Sequence, residues 1–337
     1  MEPLYQLAVA LSLVVHEAAQ AFVAFVTPRS RVFWVFLLTS LVPCAVFAWR
    51  LQGGARLDVG AWWRWCFPKR IFLHPSARND YVYYVVNAVL MGTVLGVLTV
   101  SSYEVYNVTR SALEARGLAA STPMPKPHVF ATLAVTFACA LAMDLGLFIS
   151  HYVQHKVPFL WEFHKVHHSA PVMTPITVYR MHPVDDIVTG LTAGILGGLA
   201  PALLESFVYP GVREVKIMGL NPVFMLFYFG FYHLRHSHFW FPYPAWLSHL
   251  VISPAQHQVH HSNDPRHFDK NMGFIFAIWD YLFGTLYVPR ARERLVFGLS
   301  GGEDREYYSV ARLYLLPFRK ALALLAPNRN ADRSATT

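Results

Sequence analysis

Apolar runs long enough to cross a bilayer, which takes about 20 residues, recur along the chain. Residues 7–25 form the first, and after the turn Thr27-Pro28-Arg29-Ser30-Arg31 residues 32–49 form the second; residues 81–100 and 129–150 are the third and fourth. A later pair, 187–208 and 217–232, is interrupted by glycine, proline and the charges Arg213, Glu214 and Lys216, so it reads as two spans or as a hairpin that enters the membrane and returns. The first run is expected to be a retained helix rather than a signal peptide, because residues 1–6 carry no positive charge and His16, Glu17 and Gln20 interrupt it. The pattern predicts an all-α protein: a multi-pass membrane bundle of about four spanning helices plus a hairpin. The expected organisation is N-terminal membrane helices and loops over 1–128, a catalytic region over 129–290 and a C-terminal cytoplasmic tail over 291–337, fraying into a polar end from Asn328.

Composition agrees with this reading. Of 337 residues, 55% are hydrophobic and 14% charged, which excludes disorder and an ordinary soluble domain. The net charge of +8 in so apolar a chain points to lipid headgroups and cytoplasmic loops, not to nucleic acid. Residues 50–80 hold Arg50, Arg56, Arg64, Lys69, Arg70 and Arg78 against Asp58 and Asp80, which marks that loop as cytoplasmic and outweighs Arg29 and Arg31 in the first turn. The 101–128 connection then lies outside, and everything after residue 150 returns to the cytoplasmic face. Cys44, Cys66 and Cys139 are odd in number and widely separated, so they read as buried inert thiols.

The histidines are the chemical signal. Fourteen of the 17 lie between His151 and His267, in tight clusters: His151-x3-His155, His164-x2-His167-His168 and His257-x2-His260-His261, the last preceded by His233, His236 and His238. Positions i, i+3 and i+4 of a helix share a face, so each cluster can turn several imidazoles to one ion. Imidazole suits iron, zinc, copper and nickel, whereas calcium and magnesium want oxygen. Eight histidines in the three clusters exceed the needs of one ion, which implies two adjacent metals. His16, His74 and His128 stand alone and read as structural, as do His249 and His267; His182, ahead of a helix in His182-Pro-Val-Asp-Asp186, divides evenly between site and loop. Glu-x-x-His pairs, His-Glu-x-x-His, a Walker loop, a dinucleotide fingerprint and a nucleophile elbow are all missing.

Together with Asp269-Lys-Asn-Met-Gly273 and Trp279-Asp280-Tyr-Leu-Phe-Gly-Thr285, these clusters resemble the membrane fatty acid hydroxylase/sterol desaturase superfamily over about residues 144–289. The resemblance implies an integral membrane enzyme that uses O2 at a His-held pair of iron ions, which zinc can replace in a purified sample, to hydroxylate or desaturate a lipid or sterol. Carried over by position, the ligands are His151, His155, His164, His167, His168, His236, His257, His260 and His261, with His233, His238 and His182 as additional candidates. Asp144, two helical turns before His151, is expected to accept a hydrogen bond from a ligand or to pack helices, and Asp269 and Asp280 to do the same or cap turns. The aromatics Phe224, Phe227, Tyr228, Phe229, Phe231 and Tyr232 are candidates to line a substrate slot, with core packing or lipid contact as the commoner role. His74-Pro75-Ser76-Ala77 departs from the haem motif of fused cytochrome b5 domains, so a separate electron donor is expected: cytochrome b5, a ferredoxin and reductase, or a pterin. The membrane is then a bacterial inner membrane or the endoplasmic reticulum. A membrane metal transporter and a non-catalytic lipid-binding member of the fold are the alternatives.

Overall fold

A computed structural model describes residues 2–51, 53–54, 58–119 and 128–326. Arg56, Lys126 and the polar tail from Asn328 lie outside the described residues. The described chain is helical, with no strand. Helices α1 (Glu2–Val23), α2 (Trp34–Thr39), α3 (Leu41–Leu51), α4 (Val59–Cys66), α5 (Lys69–Phe72), α6 (Pro75–Leu90) and α7 (Ser102–Ala115) precede the long α8 (Val129–Lys156). They are followed by α9 (Pro158–His168), α10 (Pro183–Leu203), α11 (Pro222–Tyr228), α12 (Ala245–Ser248), α13 (Pro254–His260), α14 (Ile278–Leu282) and α15 (Val310–Leu325).

Four helical stretches have the length and apolarity to cross a membrane: Ala8–Val26, Pro75–Ala115, Val129–Lys156 and Pro183–Val208. Two of the apolar runs do not. Residues 32–49 break at Ser40, because Thr39 and Ser40 turn their hydroxyls back onto the Phe36 carbonyl at 3.1 and 2.8 Å, competing with the backbone for it. Of 217–232 only Pro222–Tyr228 is helical, and the turn after it puts Gly230 at φ 96°. The 101–128 connection also differs from expectation, since Ser101 and Glu104 form a capping box that starts α7.

Packing of α10 on α8 and α7 organises the bundle. At Gly146 of α8 a Cβ would sit 2.7 Å from the Ala193 Cα, so only glycine allows the two backbones to meet there. After α10 the chain turns beside the start of α8, where the Val215 N–H donates to Thr136 Oγ1 (3.0 Å) and the Asn221 amide to the Thr136 carbonyl (2.9 Å). Residues 183–232 therefore go in and come back, and α11 returns the chain to the end of α8 that carries the histidines. Residues 291–326 do not trail away: Tyr314 stacks on Tyr83 (4.5 Å between centroids), Phe318 meets Phe163, and Lys320 pairs with Glu303, which in turn pairs with Lys165. All three cysteines are free and buried, Cys44 and Cys66 in one apolar cluster with Leu234.

Candidate metal centre

The nine histidines of the clusters and His236 converge in two groups. One holds His151, His155, His164, His168 and His260; the other holds His167, His236, His257 and His261; in each, the nearest nitrogens all lie within 4.8 Å of one another. The two His-x-x-His-His clusters do not each serve one site, as the spacing alone allows; each is divided. On α9, His164 and His168 face the five-histidine group and His167 faces the other. On α13 the division is reversed, with His257 and His261 in the four-histidine group and His260 in the five. A capping box of Ser253 and Gln256 fixes the start of this short helix.

The donors fit metal ions. In the four-histidine group, His236 Nε2 lies 3.1 Å from His257 Nε2, 3.1 Å from His261 Nε2 and 3.3 Å from His167 Nε2, and the His257 and His261 nitrogens are 3.2 Å apart. Metal–imidazole bonds of about 2.0–2.1 Å place neighbouring ligand atoms about 3.0–3.4 Å apart. Neutral imidazoles have one N–H each, so four Nε2 atoms this close cannot all be satisfied by one another, and a cation at their centre would take up the lone pairs left over. In the five-histidine group the Nε2 atoms of His155, His164, His168 and His260 are buried with no hydrogen-bond partner. Burial holds His164, His167, His168, His236, His257, His260 and His261 well below their usual pKa of 6.5, which keeps them neutral and able to coordinate.

Backbone and carboxylate groups orient the rings from behind. His151 Nδ1 donates to the Met272 carbonyl (2.7 Å) and His260 Nδ1 to the Lys270 carbonyl (2.8 Å). These two carbonyls come from the Asp269-Lys-Asn-Met-Gly273 segment, in which Asp269 and Asn271 adopt φ of 58° and 55°, a conformation the short polar side chains tolerate. Asn271 locks the turn by donating to the Gln256 carbonyl and accepting from the Tyr287 N–H. Asp280 accepts the Met272 and Gly273 N–H groups (2.8 and 2.7 Å) and the Thr285 hydroxyl. A Cβ at Gly273 would meet Asp280 Oδ2 at 2.8 Å, which explains the glycine.

Several expected roles change. Asp144 touches no histidine; its carboxylate accepts the Ile275 and Phe276 N–H groups and the Trp279 indole, tying the signature turn to α8. Asp280 likewise supports backbone. Only Asp269 faces a ring directly, with Oδ1 3.4 Å from His155 Nδ1 while it pairs with Lys156. His182, His233 and His238 join neither group. His182 is consumed by capping α10 through Nδ1 and by donating from Nε2 to the Tyr314 carbonyl. His238 donates to the Trp65 carbonyl, and His233 is buried beside Tyr232. Among the aromatics, Phe224, Phe227, Tyr228 and Tyr232 are core, while Phe229 and Phe231 line an apolar groove of about 590 Å³ against Val42, Val46 and Phe47.

Two residues escaped sequence reasoning. Asp185 is fully buried, has no hydrogen-bond partner on either oxygen, and lies 3.4 Å from His164 Nδ1; in the sequence it looks like an ordinary acid in a helix's first turn. Arg235 is buried against the four-histidine group, donating to the Phe274 carbonyl (2.7 Å), the Gly273 carbonyl (3.0 Å) and His257 Nδ1 (2.8 Å), and burial lowers its pKa to about 10. Its only sequence signal is its place next to His236.

The fatty acid hydroxylase family model matches residues 136–285, the segment that carries every histidine of both groups. Over this segment the chain is similar to the fatty acid hydroxylase/sterol desaturase superfamily. It is 29% identical to alkylglycerol monooxygenase of Danio rerio over 175 residues, which are 52% of this chain and 35% of that protein. With the Homo sapiens alkylglycerol monooxygenase it shares 27% over 49% of the chain and 33% of the relative. With cholesterol 25-hydroxylase of Rattus norvegicus it shares 25% over 54% of the chain and 58% of the relative. The matched segment thus spans about a third of the first relatives and somewhat over half of the last. No solved structure matches the chain. The four apolar helices, together with this similarity, support an integral membrane protein.

Proposed function

We propose that the protein is a lipid monooxygenase that inserts one oxygen atom of O2 into a C–H bond of a membrane lipid, with desaturation as the close variant. The observation that carries this reading is the convergence of buried, unpartnered histidine nitrogens into two adjacent all-imidazole groups. The overall change is R–H + O2 + 2e⁻ + 2H⁺ → R–OH + H2O, with the electrons from a separate donor. Two iron ions, held by His151, His155, His164, His168 and His260 and by His167, His236, His257 and His261, supply the redox chemistry when bound. The chain's own residues hold and orient. Met272 and Lys270 fix the tautomers of His151 and His260, Asp185 and Asp269 face His164 and His155, and the surrounding core keeps water from the four-histidine group.

A cleft of about 230 Å³ reaches the five-histidine group past Trp161 and Lys165, giving that group an opening. The apolar groove beside Phe229 and Phe231 has the character of an acyl-chain path. The basic 50–80 loop supports a cytoplasmic position for the centre. Metal analysis of protein purified from iron-replete cells is expected to give two irons per chain, and cells fed heavy-isotope O2 are expected to yield a lipid that gains one labelled oxygen only when the gene is present. Absence of bound metal, or a lipid profile unchanged by the gene, overturns the proposal.

A further inference from the structure

The apolar run that forms α1 is, with the Pro75–Ala115 stretch, among the two least enclosed of the membrane-crossing segments. In its span Ala8–Val26 only 6% of the residues are buried inside the protein, against 39% for α8. One face is accounted for. Ala21 is buried, its carbonyl accepts the Tyr84 hydroxyl at 2.7 Å, and Glu17 lies over Gly92 of the neighbouring segment. An exposed stripe running beside that face carries Ala8, Ser12, His16 and Gln20, spaced four residues apart, with Ala19 alongside.

This stripe has the wrong chemistry for hydrocarbon. His16 and Gln20 sit near the middle of the span with their Nε2 atoms 3.3 Å apart, and among the described residues they have no further hydrogen-bond partner. The Gln20 carbonyl, its second N–H and the other His16 nitrogen therefore face lipid, where each unmet polar group is costly. Ser12 is satisfied by the Val9 carbonyl and, with Ala8, supplies the small-x3-small spacing that lets two helices approach closely.

We propose that α1 is a self-association helix, and that its occupant is α1 of a second copy of this chain. The stripe is self-complementary: an amide is both donor and acceptor, so two copies inserted with the same orientation and related by a two-fold axis along the membrane normal satisfy each other's Gln20 reciprocally, with the His16 rings beside them. The glutamine and histidine then act as specific contacts and the small residues as the surface on which they meet. This inference does not depend on the metal centre.

The test is subunit counting on the full-length protein in lipid vesicles over a range of protein-to-lipid ratios, with bound metal measured alongside as a sign of intact fold. Wild type is expected to be dimeric, and His16→Leu/Gln20→Leu to lose at least about tenfold in dimer affinity with its metal content unchanged. Gln20→Cys is expected to form a disulfide-linked homodimer under oxidation in native membranes, whereas Ala21→Cys, on the inward face, does not. A monomeric wild type, a dimer that survives in the double leucine variant, or a Gln20→Cys cross-link to a different protein overturns the proposal.

Discussion

The five-histidine and four-histidine groups are built from the same repeated motif, yet their surroundings are opposite. Behind the five-histidine group stand acceptors: two backbone carbonyls, Asp269 and Asp185. Behind the four-histidine group stands a cation, the Arg235 guanidinium, 2.8 Å from His257 Nδ1. The first group opens to a cleft; the second is sealed by the core. Electron-rich backing raises ligand basicity and favours a more highly charged ion, while a neighbouring cation does the reverse. Two metals held as proposed would be inequivalent, and the pair would have a polarity set by the protein.

The strongest way to break that comparison is to remove a ring. His260→Ala takes a donor from the five-histidine group while leaving the other group's four in place, and is expected to abolish lipid oxidation and lower bound metal by about one ion per chain; metal analysis beside product assay checks it. Equal loss of both metals would show that the groups act as one.

Acid should come next in size. The buried histidines are neutral in the fold but regain a pKa near 6.5 when unfolded, so the unfolded chain binds more protons below that pH. Stability of the metal-free protein is present above about pH 6.5 and lost as pH falls, by about 1.4 kcal/mol per pH unit for each such histidine. Thermal melts between pH 8 and 5 measure the slope, and a flat profile would contradict the burial.

Asp144→Ala strands three donors, the Ile275 and Phe276 amides and the Trp279 indole, and is expected to cost about 3 kcal/mol or more, read as a lower melting temperature. The smallest effect, and the sharpest for the comparison, is Asp185→Asn. It keeps the shape but replaces the carboxyl group facing His164 Nδ1 with an amide, so iron affinity should fall about 10- to 100-fold at the five-histidine group alone. A competition titration with a chelator resolves the two affinities.

Much of the site was legible because the signal is local. Spacings of three and four residues put His151 with His155 and His164 with His168 on shared faces, and helical geometry does the rest. What spacing cannot give is how a His-x-x-His-His cluster divides, because which neighbour faces i+3 and which faces i+4 depends on where α8, α9 and α13 meet. Asp185 and Arg235 were hidden for the same reason: each acts on a ring distant in sequence. Asp144 was rightly marked as an acid needing partners, but its partners are 131 to 135 residues away, in the signature turn. Among the membrane runs, 7–25, 81–100, 129–150 and 187–208 fall in helices long enough to span, while 32–49 and 217–232 do not, since hydropathy counts apolar residues and does not weigh the hydroxyls of Thr39 and Ser40 or the glycine at 230.

Helix α8 is longer than a bilayer requires. Its 28 residues make about 42 Å, some 12 Å more than the hydrocarbon layer. The N-terminal end exposes Val129, Phe130 and Leu133, whereas the other end finishes in Gln154, His155 and Lys156, so the excess length emerges on the histidine side. Under the proposed function the centre would then stand at headgroup depth instead of mid-membrane. A lipid substrate of the proposed reaction would climb toward the surface, and the carbons nearest its polar end would have the shortest distance to travel; a terminal methyl would have to fold its chain back on itself to arrive.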